Sequence, residues 1–194
     1  MTAGRRVNTS SHSWCTPAKY VSAIKDFFGG GIALDPCSNE YSIVGAQAEF
    51  CLPDQDGLAL DWNFPTIYVN PPYGADRVRG TTIRHWLAKC DLMHRTHGAE
   101  IIALVPVAPN TMHWKKYVFG SADAICFLYD TRLRFLVNGQ DTGKGAPMAC
   151  CFVYCGDRIS AFTQHFRLYG AAVDISALKE VQSSASQATL SLFT

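Results

Sequence analysis

Little in this chain of 194 residues suits a membrane or a secreted scaffold. No run of eighteen apolar residues occurs, so no segment is a candidate transmembrane helix. Residues 1–13 are polar and lack the apolar core of a secretory signal, so we expect a cytoplasmic protein. Charge of either sign is sparse: 17% of residues are charged and the formal net charge is +1. That balance neither demands nor excludes a polyanionic partner, because an electrostatic footprint can be local. Eight cysteines are present, yet no Cys-x-x-Cys pair, and most lie in apolar runs such as Met148 to Cys155. Buried thiols in a reducing compartment follow, rather than disulfides or zinc. His94 and Cys90 share a helix face, but no second ligand pair is within sequence range, so no metal is expected.

What is present has the pattern of one α/β domain. Thr16-Pro17 reads as the N-cap and first residue of a helix carrying Tyr20, Val21, Ile24, Phe27 and Phe28, which Gly29-Gly30-Gly31 stops. Short apolar runs at Ile32–Leu34, Ala46–Leu52, Thr66–Val69, Ile101–Val105 and Ala124–Leu128 read as strands, the first ending at Asp35-Pro36. Ile83, Trp86, Leu87, Cys90 and Met93 mark one helical face, and further helices are expected over 111–119 and 158–168. Leu133–Val137 and Met148–Tyr154 are expected to pair across the Gly-rich stretch 138–147. The expected fold is a mostly parallel, doubly wound sheet with that late pair as an antiparallel edge. Residues 1–13 form an expected flexible arm, 14–175 the catalytic domain and 176–194 a Ser/Ala-rich flexible tail. Ligands of such sheets bind beyond the strand carboxyl ends, where Asp35 and Asn70 both fall.

The chemistry concentrates in Asn70-Pro71-Pro72-Tyr73, directly after a strand. Proline disfavours helical conformation in the residue before it, and two prolines in succession fix φ and remove two backbone donors. The Asn70 side-chain carbonyl and the Pro71 backbone carbonyl then converge as rigid acceptors, with Tyr73 offering a flat face. Two acceptors and an aromatic face fit a planar ring bearing an amino group, such as adenine. Its amino lone pair is delocalised into the ring and is a poor nucleophile. Accepting both N–H protons localises that lone pair and stabilises the positive charge that develops on nitrogen. Within a duplex such an amine is reachable only if the base is flipped out.

In these residues the chain resembles the small phage-type DNA N6-adenine methyltransferases. The resemblance spans about Trp14 to Tyr154. It rests on Trp14-Cys15-Thr16-Pro17, Leu34-Asp35-Pro36-Cys37, Gln55-Asp56-Gly57-Leu58 with Trp62, and Asn70-Pro71-Pro72-Tyr73. Leu104-Val105-Pro106 and Arg132-Leu133-Arg134-Phe135 extend it. It implies a Rossmann-like methyltransferase fold and S-adenosylmethionine as methyl donor. Thr16 and Pro17 would line the donor's methionine end, and Asp35 and Pro36 would form the first cofactor motif. Asp56 would stand near the cofactor adenine, with Asp54 as its local rival, while Asn70, Pro71, Pro72 and Tyr73 would serve the target base. Relatives of the Asp-Pro-x-x-Gly-x-Gly form carry glycines where this chain has Asn39 and Tyr41. No clear ribose-binding acid is found, Glu49 being the only guess. The Asn-Pro-Pro-Tyr element also occurs in glutamine and RNA methyltransferases, so those substrates stay open, as does a silent nucleic-acid-binding module. Double-stranded DNA is the expected partner, met by a monomer or weak dimer. Arg77, Arg79, Arg132, Arg134 and Lys144 are candidates for phosphate contacts, with solvated surface charge as the alternative. Specificity is expected to be short or relaxed, set by the loops at 75–82 and 138–147.

Overall fold

A computed structural model describes residues 14–130, 132–143 and 145–180. Most of the expected arm and tail, and Lys144, therefore lie outside the described residues. In chain order the elements are β1 (Trp14–Cys15), α1 (Ala18–Phe27), β2 (Leu34–Ser38), β3 (Ala48–Cys51), β4 (Thr66–Val69), α2 (Ile83–His97) and β5 (Glu100–Pro106). There follow α3 (Met112–Trp114), which runs on as a π-helical turn over Lys115–Phe119, then β6 (Ala124–Leu128), β7 (Leu136–Val137) and β8 (Gln140–Asp141). The last are β9 (Cys150–Cys155), α4 (Ile159–Phe166) and β10 (Gly170–Asp174).

Seven strands form one sheet in the order β10-β6-β9-β5-β4-β2-β3. β3, β2, β4 and β5 are parallel neighbours, while β9 runs antiparallel between β5 and β6, and β10 antiparallel to β6. Strand alternation divides the core into two layers. Tyr68, Ile102, Leu104, Phe152 and Tyr154 pack beneath α1 and α4, against Tyr20, Ile24, Phe27, Phe162 and Phe166. Ile67, Val69, Ile101, Ala103, Val105 and Val153 face the other way, against Trp86, Leu87, Met93, Trp114 and Val118. The mixed α/β architecture read from the sequence is present, with helices on both faces.

Four local readings change. Leu136–Val137 does not pair with Met148–Tyr154. Asn138 (φ 51°) and Gly139 (φ 76°) close a two-residue hairpin that turns β7 straight back into β8. The strand at Cys150–Cys155 thereby becomes an interior antiparallel member of the main sheet, and β10, which the sequence pattern does not announce, supplies the antiparallel edge. Asp35 and Pro36 lie inside β2 rather than past its end. Finally, Pro17, not Thr16, is the residue preceding α1, accepting from the Tyr20 and Val21 amides, while the Thr16 hydroxyl lies 2.6 Å from Tyr68 Oη. At the far end of the chain, Ile175 is buried and Lys179 pairs with Asp123 at 2.5 Å.

Candidate active site

β2 and β4 are neighbours, and the chain crosses to opposite sides of the sheet on leaving them: β3 lies beyond β2, and β5 beyond β4. This reversal is the topological switch point at which open parallel sheets bind ligands. Asp35 lies in β2 and Asn70 directly follows Val69 of β4. A narrow cleft of about 20 Å³ opens there, lined by Thr16, Asp35, Asn70 and Pro72 among the expected residues, and by Trp14 and Asn39. A wider groove continues past Pro36 to Asp56, sharing Cys37, Ser38, Asn39 and Pro72 with the first.

Asn70 is held by a partner remote in sequence. Its Nδ2 donates to the Trp14 carbonyl at 3.0 Å, which fixes the amide and leaves Oδ1 as its acceptor end. Trp14 is in turn fixed by the small sheet β1-β7-β8, in which Trp14 pairs with Val137 and Cys15 with Leu136. The Asn138-Gly139 turn thus reaches Asn70 through two strands. Pro71 is buried. Tyr73 is half-buried, its hydroxyl donating to the Leu104 carbonyl at 3.3 Å. Trp14 and Phe135, stacked on each other at 5.1 Å, stand edge-on to the Tyr73 ring at 6.2 and 5.7 Å.

Asp35 is held differently. Only 3% of it is exposed, and Oδ1 accepts from the Cys37 amide at 3.1 Å. Burial pushes its carboxyl up to about 7, the Cys37 amide partly opposes this, and nearby Glu49 adds to the rise. Glu49 pairs with Asp35 across β2 and β3, taking hydrogen bonds from Ser38 Oγ at 3.0 Å and the Ala46 amide at 3.1 Å. In place of the glycines of an Asp-Pro-x-x-Gly-x-Gly loop, Asn39 Oδ1 accepts from the Tyr41 amide at 2.9 Å and from the Cys15 thiol at 3.5 Å. That loop is shaped by side-chain hydrogen bonds in place of glycine backbone.

Asp56 sits at the far end of the groove. Burial opposes its charge, yet Arg79 and the Leu58 and Ala59 amides outweigh this and hold the carboxyl below its usual range. The Arg79 guanidinium is ion-paired to Asp56, with Asp76 at 3.9 Å. Gly57 brings this segment against β2: a Cβ there would lie 1.8 Å from the Pro36 carbonyl oxygen, so only glycine fits. Trp62 Nε1 donates to the Gly57 carbonyl at 2.7 Å and locks the approach.

The remaining expected residues lie elsewhere. Pro17, Arg132 and Arg134 line a separate groove with Lys19 and Asp130. Arg134 stands 3.8 Å from Asp141, and Arg77 is exposed. Arg79 faces the inner groove. Sequence reasoning assigned no role to Trp14, Asn39 or Phe135. Trp14 and Phe135 fall within motifs that carried the resemblance, which is the signal that points to them. Among the described residues no three His, Cys, Asp or Glu side chains form a metal-binding group. No described helix is long and apolar enough to cross a membrane.

A family model described as DNA N-6-adenine-methyltransferase (Dam) matches residues 5–167. A search of curated proteins found no match.

Proposed function

Because the chain belongs to the DNA N-6-adenine-methyltransferase (Dam) family, we propose that it methylates N6 of a flipped-out adenine in DNA, with S-adenosylmethionine as donor. The carrying observation is the fixed Asn70 amide. With its nitrogen committed to the Trp14 carbonyl, Oδ1 is left as an acceptor at the switch-point cleft, ready for an amino proton. The two-sided core and the strand inserted antiparallel between β5 and β6 support a Rossmann-like methyltransferase fold.

The residues present fit the donor. Asp35 is a buried carboxyl whose bond to the Cys37 amide leaves acceptor capacity toward the cleft, and a ligand ammonium would restore its charge. The smaller cleft is narrow, and what recommends it for an amino-acid end is its polar lining of Thr16, Asp35 and Asn70. The wider groove, walled by Pro36, Phe50 and Trp86 with Asp56 at its end, suits a purine nucleoside. Bound there, the donor supplies a methyl carbon on a sulfonium leaving group, open to in-line attack by an amine. Asn70 Oδ1 and the Pro71 carbonyl would accept hydrogen bonds from the two N6 protons, which localises the nitrogen lone pair; as the N–C bond forms and the S–C bond breaks, one of those protons is released to water. The Asn70 acceptor is set before the base arrives, so little reorganisation of it opposes the step. Trp14, which lines the cleft, would give the base an aromatic face, backed by the buried Phe135 ring and by Tyr73 edge-on. The expected phosphate contacts from Arg77, Arg132 and Arg134 remain part of this reading.

The test is methyl transfer from labelled S-adenosylmethionine to unmethylated DNA, followed by nucleoside mass analysis. We expect N6-methyladenine that vanishes in Asn70→Ala. Label on RNA or protein instead would keep the amino-group chemistry and change the substrate. Cofactor binding without any transfer would favour a silent binding module.

A further inference from the structure

The loop that follows Tyr73 carries a feature that the fold does not use. Val78, at its tip, is 97% exposed, more than any other large apolar side chain among the described residues. Turn tips ordinarily carry polar residues or glycine, and this one carries a bare branched apolar group. The loop is also rigidly built. Asp76 and Thr81 exchange backbone hydrogen bonds at 2.9 and 3.1 Å, and Asp76 Oδ1 accepts from the Val78 and Arg79 amides, both at 3.0 Å. Gly80 completes the turn with φ 64°, and the Arg79 ion pair with Asp56 anchors the loop to the inner groove. Arg77 beside the tip and Arg84 at the start of α2 are both exposed.

We propose that Val78 is a wedge that enters the duplex and fills part of the space vacated by the extruded adenine. This rests on the base-flipping reading above. Val78 is the fifth residue after Tyr73 (78 − 73), a chain reach of at most roughly 18 Å, so the tip stays close to the segment proposed to hold the extruded base. Extrusion costs stacking and pairing, and an apolar side chain inserted between base steps offsets part of that cost. Arg77, next to Val78 in the chain, and Arg84, at the start of α2, are exposed cations available to phosphates.

The experiment compares the full chain with Val78→Ala and Val78→Ile under single-turnover conditions on two duplexes. In one the target adenine faces thymine, and in the other an abasic site. A parallel measurement places 2-aminopurine at the target position and follows its fluorescence. Because Val78 is almost fully exposed, unchanged circular dichroism is expected. We expect Val78→Ala to slow methylation of the paired target about tenfold and to blunt the fluorescence rise, with a much smaller deficit opposite the abasic site. Val78→Ile should restore the paired-target rate. An unchanged rate on the paired target, or an equal loss on both duplexes, would overturn the wedge. A wild-type chain inactive on both would instead remove the reading on which it rests.

Discussion

Asp35 and Asn70 stand at one edge of one sheet, and the protein prepares them in opposite ways. Asn70 is prepared by geometry: one end of its amide is tied to the Trp14 carbonyl, and the other is thereby aimed. Asp35 is prepared by electrostatics: it is buried beside Glu49, and its carboxyl is held up to about 7. A positioned neutral group acts whatever the pH, whereas a desolvated acid waits for a cation. The two should therefore fail differently when disturbed.

The largest difference is expected from Asn70→Ala. Loss of one preorganised acceptor should lower kcat by roughly a hundredfold or more while leaving cofactor affinity nearly intact. Single-turnover rates set beside equilibrium cofactor titration check both halves. Asp35→Asn should do the reverse and weaken cofactor binding by about tenfold or more at pH 8. In the wild type, affinity should fall as pH drops below about 7, because the ligand ammonium must then displace a proton from Asp35. The Asp35→Asn variant should lose that slope, and titration from pH 6 to 8 reads it directly.

Stability sharpens the same contrast. The folded state keeps the Asp35 proton up to about 7, whereas an ordinary carboxyl releases it near 3.8. Between those values the cofactor-free chain binds more protons folded than unfolded, so this group makes stability fall as pH rises through the window. Asp35→Asn should remove that fall and raise stability at pH 8 by on the order of 2–4 kcal/mol. Denaturant unfolding at pH 5 and pH 8 tests it. No matching pH effect is expected at Asn70.

A smaller effect should come from outside the cleft. Gly139→Val places a β-branched residue at φ 76° and so strains the β7-β8 turn. Looser pairing of β7 with Trp14 should free the Asn70 amide and lower kcat several-fold, with little change in cofactor affinity. A cofactor-binding loss as large as the kcat loss would break the separation drawn between the two residues.

What the sequence disclosed follows from the range of each interaction. Asn70-Pro71-Pro72-Tyr73 was legible because its rigidity is carried by its own prolines. α1 and α2 were legible because their apolar faces repeat locally. The place of Cys150–Cys155 was not, since its register against Ile101–Pro106 is a pairing across about fifty residues that no local period encodes. The one local signal that would have corrected the hairpin was Asn138-Gly139 itself. Gly170–Asp174 is short and rich in small residues, a poor strand by composition. Its place depends on close approach, since a Cβ on Gly170 would lie 2.2 Å from the Phe127 carbonyl oxygen. At the proposed site, the sequence offers Asp35 and Asn70 as residue types, but the Trp14–Asn70 and Arg79–Asp56 partnerships join segments 56 and 23 residues apart.

That last ion pair has a thermodynamic side. Both Arg79 and Asp56 line the groove, but Arg79 is carried by the loop that bears Val78, so their bond makes loop and groove members of one equilibrium. A groove ligand that takes Asp56 for itself releases a guanidinium toward the outer face, and an anion that takes Arg79 releases a carboxylate toward the groove. Coupling of this kind is reciprocal: the factor by which one guest alters the other's affinity is the same in both directions. Occupancy of the groove and of the loop would then be linked.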